Sequence, residues 1–205
     1  MKDIRTYYQE AIESSPNPIV LEIGMGQGED TGWLFQVLVD SGKPYRYIGF
    51  EPEPKNLAAI SRLPIAKDIY VVAAAVGDRA TRVPFYSSGD WPYSGSVKEP
   101  KLHCEARPDI KFSQDFMVEM VPLDLFQDIL HADFIWCDVQ GAEDLVIAGG
   151  QQTLARTRYF YTEHCERELY AGQIGLAEIH RRLPGHWELV QDWGNDVLFH
   201  NKDLP

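Results

Sequence analysis

Short apolar runs alternate with stretches of helical spacing along most of this 205-residue chain. Residues up to Glu13 read as a short helix, ended by the breaker cluster Ser14-Ser15-Pro16-Asn17-Pro18. Ile19 to Ile23 is an apolar strand that runs into three glycines. Thr31 to Val39 carries Trp33, Leu34, Val37 and Leu38 at helical spacing, and Ser41-Gly42-Lys43-Pro44 closes it. Tyr47 to Phe50 predicts the next strand, Lys55 to Arg62 the next helix, and Ile69 to Val76 a third strand turning at Gly77-Asp78. Val83 to Tyr86 adds an edge strand. Ala132 to Asp138 is the fourth strand of the main sheet, a helix runs from about Ala142 to Arg156, and Tyr159 to Glu163 is the fifth strand. A helix around Leu176 to Leu183 precedes Trp187–Val190 and Val197–His200, which straddle the hairpin signal Gly194-Asn195.

This order predicts an α/β fold, a three-layer sandwich whose mostly parallel sheet ends in a C-terminal antiparallel hairpin. Residues 1–205 read as one domain, with 1–18 as an N-terminal helical extension. The rhythm breaks from Ser87 to about Gln114, where Ser, Gly, Pro, Trp and Tyr follow without period. An aperiodic stretch of that length predicts a lid or mobile loop, with Trp91, Tyr93, Ser94 and Ser96 available to cover an acceptor.

Charge narrows the partners. There are 31 acids against 19 bases, a net charge of -12, and no dense run of Lys or Arg. Such a surface repels phosphate backbones and anionic headgroups, so neither nucleic acid nor membrane is an expected partner. Cys104, Cys137 and Cys165 are odd in number and lack C-x-x-C spacing, which argues against a disulfide framework or a structural zinc. The start of the chain lacks a signal-peptide core, and no apolar run approaches the roughly 20 residues of a membrane span. The cytoplasm is the expected location. Composition leaves the oligomeric state open.

The glycines at 24, 26 and 28 follow the first sheet strand, where bare backbone lets a ligand approach closely. Glu51 follows the next strand, 23 residues after Gly28, near the offset of a carboxylate that grips ribose hydroxyls. NAD and S-adenosylmethionine both carry that ribose. They differ in phosphate. The helix after the loop opens on Glu29-Asp30, and position 29 is Glu where a dinucleotide pattern needs glycine. Two carboxylates there oppose a diphosphate but suit a sulfonium and an ammonium group. The expected cofactor is therefore S-adenosylmethionine. A nicotinamide-dependent (NAD(P)) oxidoreductase and a non-catalytic nucleotide-binding module are the alternatives.

Gly24-x-Gly26-x-Gly28, Phe50-Glu51-Pro52, Ala75-Val76-Gly77-Asp78 and Asp138-Val139-Gln140-Gly141-Ala142-Glu143, in that order, resemble the FkbM family of methyltransferases. The resemblance runs from about Val20 to Glu163. It implies a class I, Rossmann-like methyltransferase fold, S-adenosylmethionine as donor and O-methylation of a small molecule or glycan. By position it implies that Glu22, Gly24, Gly26 and Gln27 line the methionine side of the cofactor, with Gly28 completing the loop. Glu51 would bind the ribose, Ala75 and Asp78 would lie near adenine, and Asp138 would stand beside the methyl. Two departures touch the acceptor side: Trp136-Cys137 replace a common lysine and aliphatic pair, and Gln140 stands where glutamate is common.

Methyl transfer to a hydroxyl needs positioning and gains from a base within hydrogen-bond reach. Strand ends on the cofactor side hold such groups. Asp138 ends the fourth strand and Glu163-His164 the fifth. His164 is the preferred base, since its unperturbed pKa is nearest neutrality. Asp138, Glu163 and His164 are also chemically able to hold a metal, but nothing in their spacing requires one.

Overall fold

The computed structural model describes residues 2–126 and 131–204, except the side chain of Asp115. Met1 and Pro205, the ends of the expected domain, lie outside the described residues. The elements are α1 (Ile4–Ser14), β1 (Ile19–Ile23), α2 (Thr31–Asp40), β2 (Arg46–Phe50), α3 (Pro54–Ile60), β3 (Tyr70–Val72), β4 (Ala75–Val76) and β5 (Thr81–Ser87). They continue with α4 (His103–Ala106), β6 (Ser113–Val121), β7 (Ala132–Cys137), α5 (Glu143–Gly149), α6 (Gln151–Leu154), β8 (Thr157–Glu163), α7 (Leu176–Arg182), β9 (Trp187–Asp192) and β10 (Asp196–Asn201).

Seven strands form one sheet in the order β3-β2-β1-β7-β8-β10-β9. The pairs from β3 through β8 are parallel, and β10 runs antiparallel to both β8 and β9. Every residue of β1 and β7 is buried. That is why central parallel strands read as unbroken apolar runs. The period of two still sorts their side chains between the faces. Ile19, Leu21, Ile23, Ile135 and Cys137 pack with Val146, Ile147, Leu154 and Ile179 of α5, α6 and α7, and with Leu183 just past α7. Val20, Phe134 and Trp136 face Tyr8, Ile12, Leu34, Leu38 and Ile60 of α1, α2 and α3. Helix, sheet and helix make the expected three layers.

The third strand is not continuous. It breaks after Val72 in a tight turn closed by Ala74 N–H donating to the Val72 carbonyl at 2.9 Å. The chain then leaves the main sheet, and β4 joins a second sheet of order β4-β6-β5. The central strand β6 was not predicted, although Phe116, Val118 and Met120 alternate with the exposed Met117 and Glu119. The expected long helix after Asp138 is two short ones, divided at Gly149-Gly150. Here α5 meets the second sheet, and a Cβ on Gly149 would stand 1.8 Å from the Gly77 carbonyl oxygen.

The segment between β5 and β6 is stitched down. Tyr86 and Ser96 pair as an isolated bridge, and so do Pro100 and Tyr170. Lys98 Nζ reaches Asp144 at 2.6 Å and the Gly172 carbonyl at 2.8 Å. Lys101 and His103 donate their N–H groups to the Leu169 carbonyl. The segment is thereby folded against the loop that follows β8. No helix among the described residues is long and apolar enough to cross a membrane.

Two glycines test this packing. Gly149→Ala should lower stability by about 2–3 kcal/mol through overpacking. Gly32→Ala, with nothing within 4 Å of the new methyl on the exposed side of α2, should be neutral or stabilising by up to about 1 kcal/mol. Urea unfolding of both variants checks the contrast.

Candidate active site

The strand order reverses on either side of β1, whose neighbours are β2 and β7. Chain segments leaving those strands diverge, and a cleft opens at their carboxyl ends. It is lined from β1, β2, β7, the Ala74–Val76 turn and the segment between β5 and β6. The glycine loop makes the approach possible. Gly24 has φ 86°, and a Cβ there would stand 1.8 Å from the Asp138 carbonyl oxygen. Gly28 has φ 93° and packs on Leu63, where a Cβ would lie 2.6 Å from Cδ1.

The loop amides are already engaged. Gly24 and Met25 donate to the Phe50 carbonyl, Gly26 to Glu51 Oε2 at 2.9 Å, Gln27 to Glu29 Oε2 at 2.9 Å and Gly28 to the Met25 carbonyl. A diphosphate would find none of these N–H groups free. The lining contains Glu22, Glu29, Asp30, Glu51 and Asp138, and no Lys, Arg or His. It is a site built for positive charge.

Burial raises Glu22, Glu51 and Asp138. Glu22 accepts from Thr31 Oγ1 at 2.7 Å and from the Tyr47 hydroxyl, yet desolvation pushes it up to about 8. Glu51 is pushed up by burial to about 7, against bonds from Glu53 N, Asn56 Nδ2 and Gly26 N. Asp138 is raised by burial to about 6, and Glu143 and Glu163 by burial to about 7 and about 9. Beside Glu51, the buried Asn56 lines the cleft with Oδ1 unpartnered, an acceptor open to a ligand hydroxyl. Sequence reasoning missed Asn56; its signal is its place in the first turn of α3, five residues after Glu51.

Of the expected site residues, Glu22, Gly24, Gly26, Glu51, Ala75 and Asp138 line the cleft. Gln27, Gly28, Asp78, Glu163 and His164 are not among its lining residues. Asp78 is a third exposed and lies 3.6 Å from Arg79. Glu163 sits behind Gln140, whose Nε2 is 3.3 Å from its Oε2. The His164 side chain is 8% exposed, and neither ring nitrogen has a hydrogen-bond partner. Trp136 and Gln140, noted in the sequence as departures, both face the cleft. No three acids, histidines or cysteines among the described residues are grouped to hold a metal ion.

The family model for the methyltransferase FkbM domain matches residues 22–197. The chain belongs to the FkbM methyltransferase family. The 2-O-methyltransferase NoeI of Sinorhizobium fredii (strain NBRC 101917 / NGR234) is 34% identical over 209 residues, spanning 92% of this chain and 82% of its own. The crystal structure of Methyltransferase FkbM from Methylobacillus flagellatus KT superposes with TM-score 0.55 at 17% identity, covering 90% of this chain. This chain spans 44% of that protein's length, and the likeness is one of fold. Membership makes this FkbM protein a methyltransferase with a Rossmann-like sheet. The oxidoreductase alternative is not favoured, and the family implies S-adenosylmethionine as the methyl donor.

The raised carboxyls set the pH dependence of the free protein. Between about pH 4.5 and pH 7 the folded chain keeps protons on Glu22, Glu51 and Glu143 that the unfolded chain has lost, and on Glu22 up to about pH 8. Stability therefore falls as pH rises, by up to about 1.4 kcal/mol per pH unit for each retained proton. The ligand-free protein should melt lower at pH 8 than at pH 5.5, and Glu22→Gln, which needs no proton to be neutral, should flatten the profile. Melting temperatures across that range check both.

Proposed function

We propose that this FkbM methyltransferase uses S-adenosylmethionine to methylate a hydroxyl of a small-molecule or glycan acceptor, with Asp138 as the base. The observation that carries this reading is the cleft itself: five carboxylates, no basic side chain, and a glycine loop whose amides are all engaged. S-adenosylmethionine supplies a methyl group on a positively charged sulfur and presents no phosphate. Glu22, Glu29 and Asp30 would hold its cationic end, Glu51 and Asn56 its ribose hydroxyls, and Ala75, Val76 and Phe85 the adenine.

Hydroxyl oxygen as the acceptor atom follows from NoeI, a 2-O-methyltransferase by name and related over nearly the whole chain. Asp138 suits the base better than His164, because it lines the cleft and His164 does not. Burial brings Asp138 to about 6, close to the range where a base is both ionised and able to take a proton. Tyr93 and Ser96, from the segment between β5 and β6, line the cleft and would limit water at the reacting oxygen. A soluble protein of the cytoplasm fits this chemistry and the acidic surface.

Calorimetric titration with S-adenosylmethionine, S-adenosylhomocysteine and NAD tests the cofactor. The first two should bind and NAD should not; the reverse would overturn the reading. Glu51→Ala should weaken S-adenosylhomocysteine binding by roughly 10-fold to 100-fold, the worth of hydrogen bonds to a charged group. Asp138→Asn should cut methyl transfer to a hydroxylated acceptor library by about 100-fold or more, the scale of a lost general base. Full activity in Asp138→Asn would remove Asp138 from that role.

A further inference from the structure

Gln140 is the only non-glycine residue among those described whose backbone enters the left-handed region, at φ 52°. A residue with a side chain persists there only where its surroundings over-determine it. Here the surroundings are specific. One Nε2 proton goes to Asp138 Oδ1 at 2.6 Å and the other faces Glu163 Oε2 at 3.3 Å. Oε1 lies 3.3 Å from the Tyr170 hydroxyl, whose proton goes to the Ser94 carbonyl at 2.8 Å. The main-chain carbonyl of Gln140 accepts from Ser96 Oγ at 2.8 Å. Gly141 continues the turn at φ 89°, and a Cβ there would stand 2.9 Å from the Tyr170 ring.

We propose that Gln140 is a positioning residue: its amide, held out by the left-handed backbone, clamps Asp138 and Glu163 into one hydrogen-bonded pair with Asp138 on the cleft side. The inference rests on the reading of Asp138 as the base. Asp138 and Gln140 line the cleft and Glu163 does not, so the clamp sets which acid meets the acceptor. The other charges facing the pair are Asp30 at the cap of α2, Asp196 of β10 and Glu143 of α5, with Lys98 of the lid acting on Glu143. Burial and those three acids oppose ionisation, while the two side-chain N–H groups of Gln140, and its backbone N–H toward Asp138, favour it. A carboxylate at position 140 would lose both donors and add a further negative charge. The amide lets Asp138 ionise while Glu163 behind it keeps its proton.

The test is carboxyl carbon-13 NMR titration of the full chain, with Asp138→Asn and Glu163→Gln assigning the signals. Gln140→Gly suits the left-handed backbone and keeps the carbonyl that Ser96 bonds, so it should melt within about 2 °C of the wild type. Its Asp138 midpoint should nevertheless rise by about one pH unit or more. In a methyl-transfer assay the acid limb of its rate profile should move up equally, with kcat down about 10-fold or more and S-adenosylhomocysteine affinity unchanged. Gln140→Asn, also at ease at positive φ, is one methylene shorter and should raise the Glu163 midpoint. Unchanged midpoints in both variants overturn the clamp whatever their activity. A wild-type chain that methylates nothing overturns the functional reading instead, and the titration still judges the clamp.

Discussion

The close approach of two chain segments at the end of β1 is the constraint from which the site follows. A side chain at Gly24 would collide with the Asp138 carbonyl, and Asp138 N–H donates to the Ile23 carbonyl at 2.9 Å. The chain can leave β1 only through a left-handed glycine, which turns it away from the sheet. That turn separates the exits of β1, β2 and β7 and leaves the cleft between them. It also brings Asp138 into the wall opposite Glu51, so cofactor side and acceptor side share one junction.

The cleft built there is electrostatically incomplete. Several acids are buried together, and the cations nearest them are used elsewhere: Lys98 binds Asp144, and Lys55 binds Glu53. Burial then drives the carboxyls toward neutrality. A cation in the cleft would restore their charge, so affinity for a positive ligand and loss of these protons are two views of one free energy. The same logic explains why an amide at position 140 matters: it supplies N–H donors among acids without adding charge.

Much of this was legible along the chain. Apolar runs located the five parallel strands of the main sheet, most clearly β1 and β7, because strands buried on both faces admit few polar residues. Offset and order picked out Gly24, Gly26, Glu51 and Asp138, which line the cleft together with the acids at 29 and 30. Less legible were features that depend on distant partners. Ile69 to Val76 looked like one strand, since nothing in its apolar residues marks the point where the chain changes sheets. β6 is recognised by its pairing with β5, and its register runs from Thr81–Met120 to Ser87–Ser113. The segment between β5 and β6 read as irregular because its order comes from bonds to Tyr170, Leu169 and Asp144, about 50 to 80 residues away in sequence.

Sequence by itself determined the layered α/β sheet, the glycine turn and the acidic character of the site, because periodicity, backbone freedom and charge are properties of neighbouring residues. Tertiary structure decided which acids face the cleft. His164 and Asp138 stand at equivalent strand ends in the sequence, yet only Asp138 reaches the cavity, since it leaves β7 beside the switch point while β8 lies one strand further out. It also decided the role of Gln140, whose two carboxylate partners come from different strands and meet only when β7 and β8 pair.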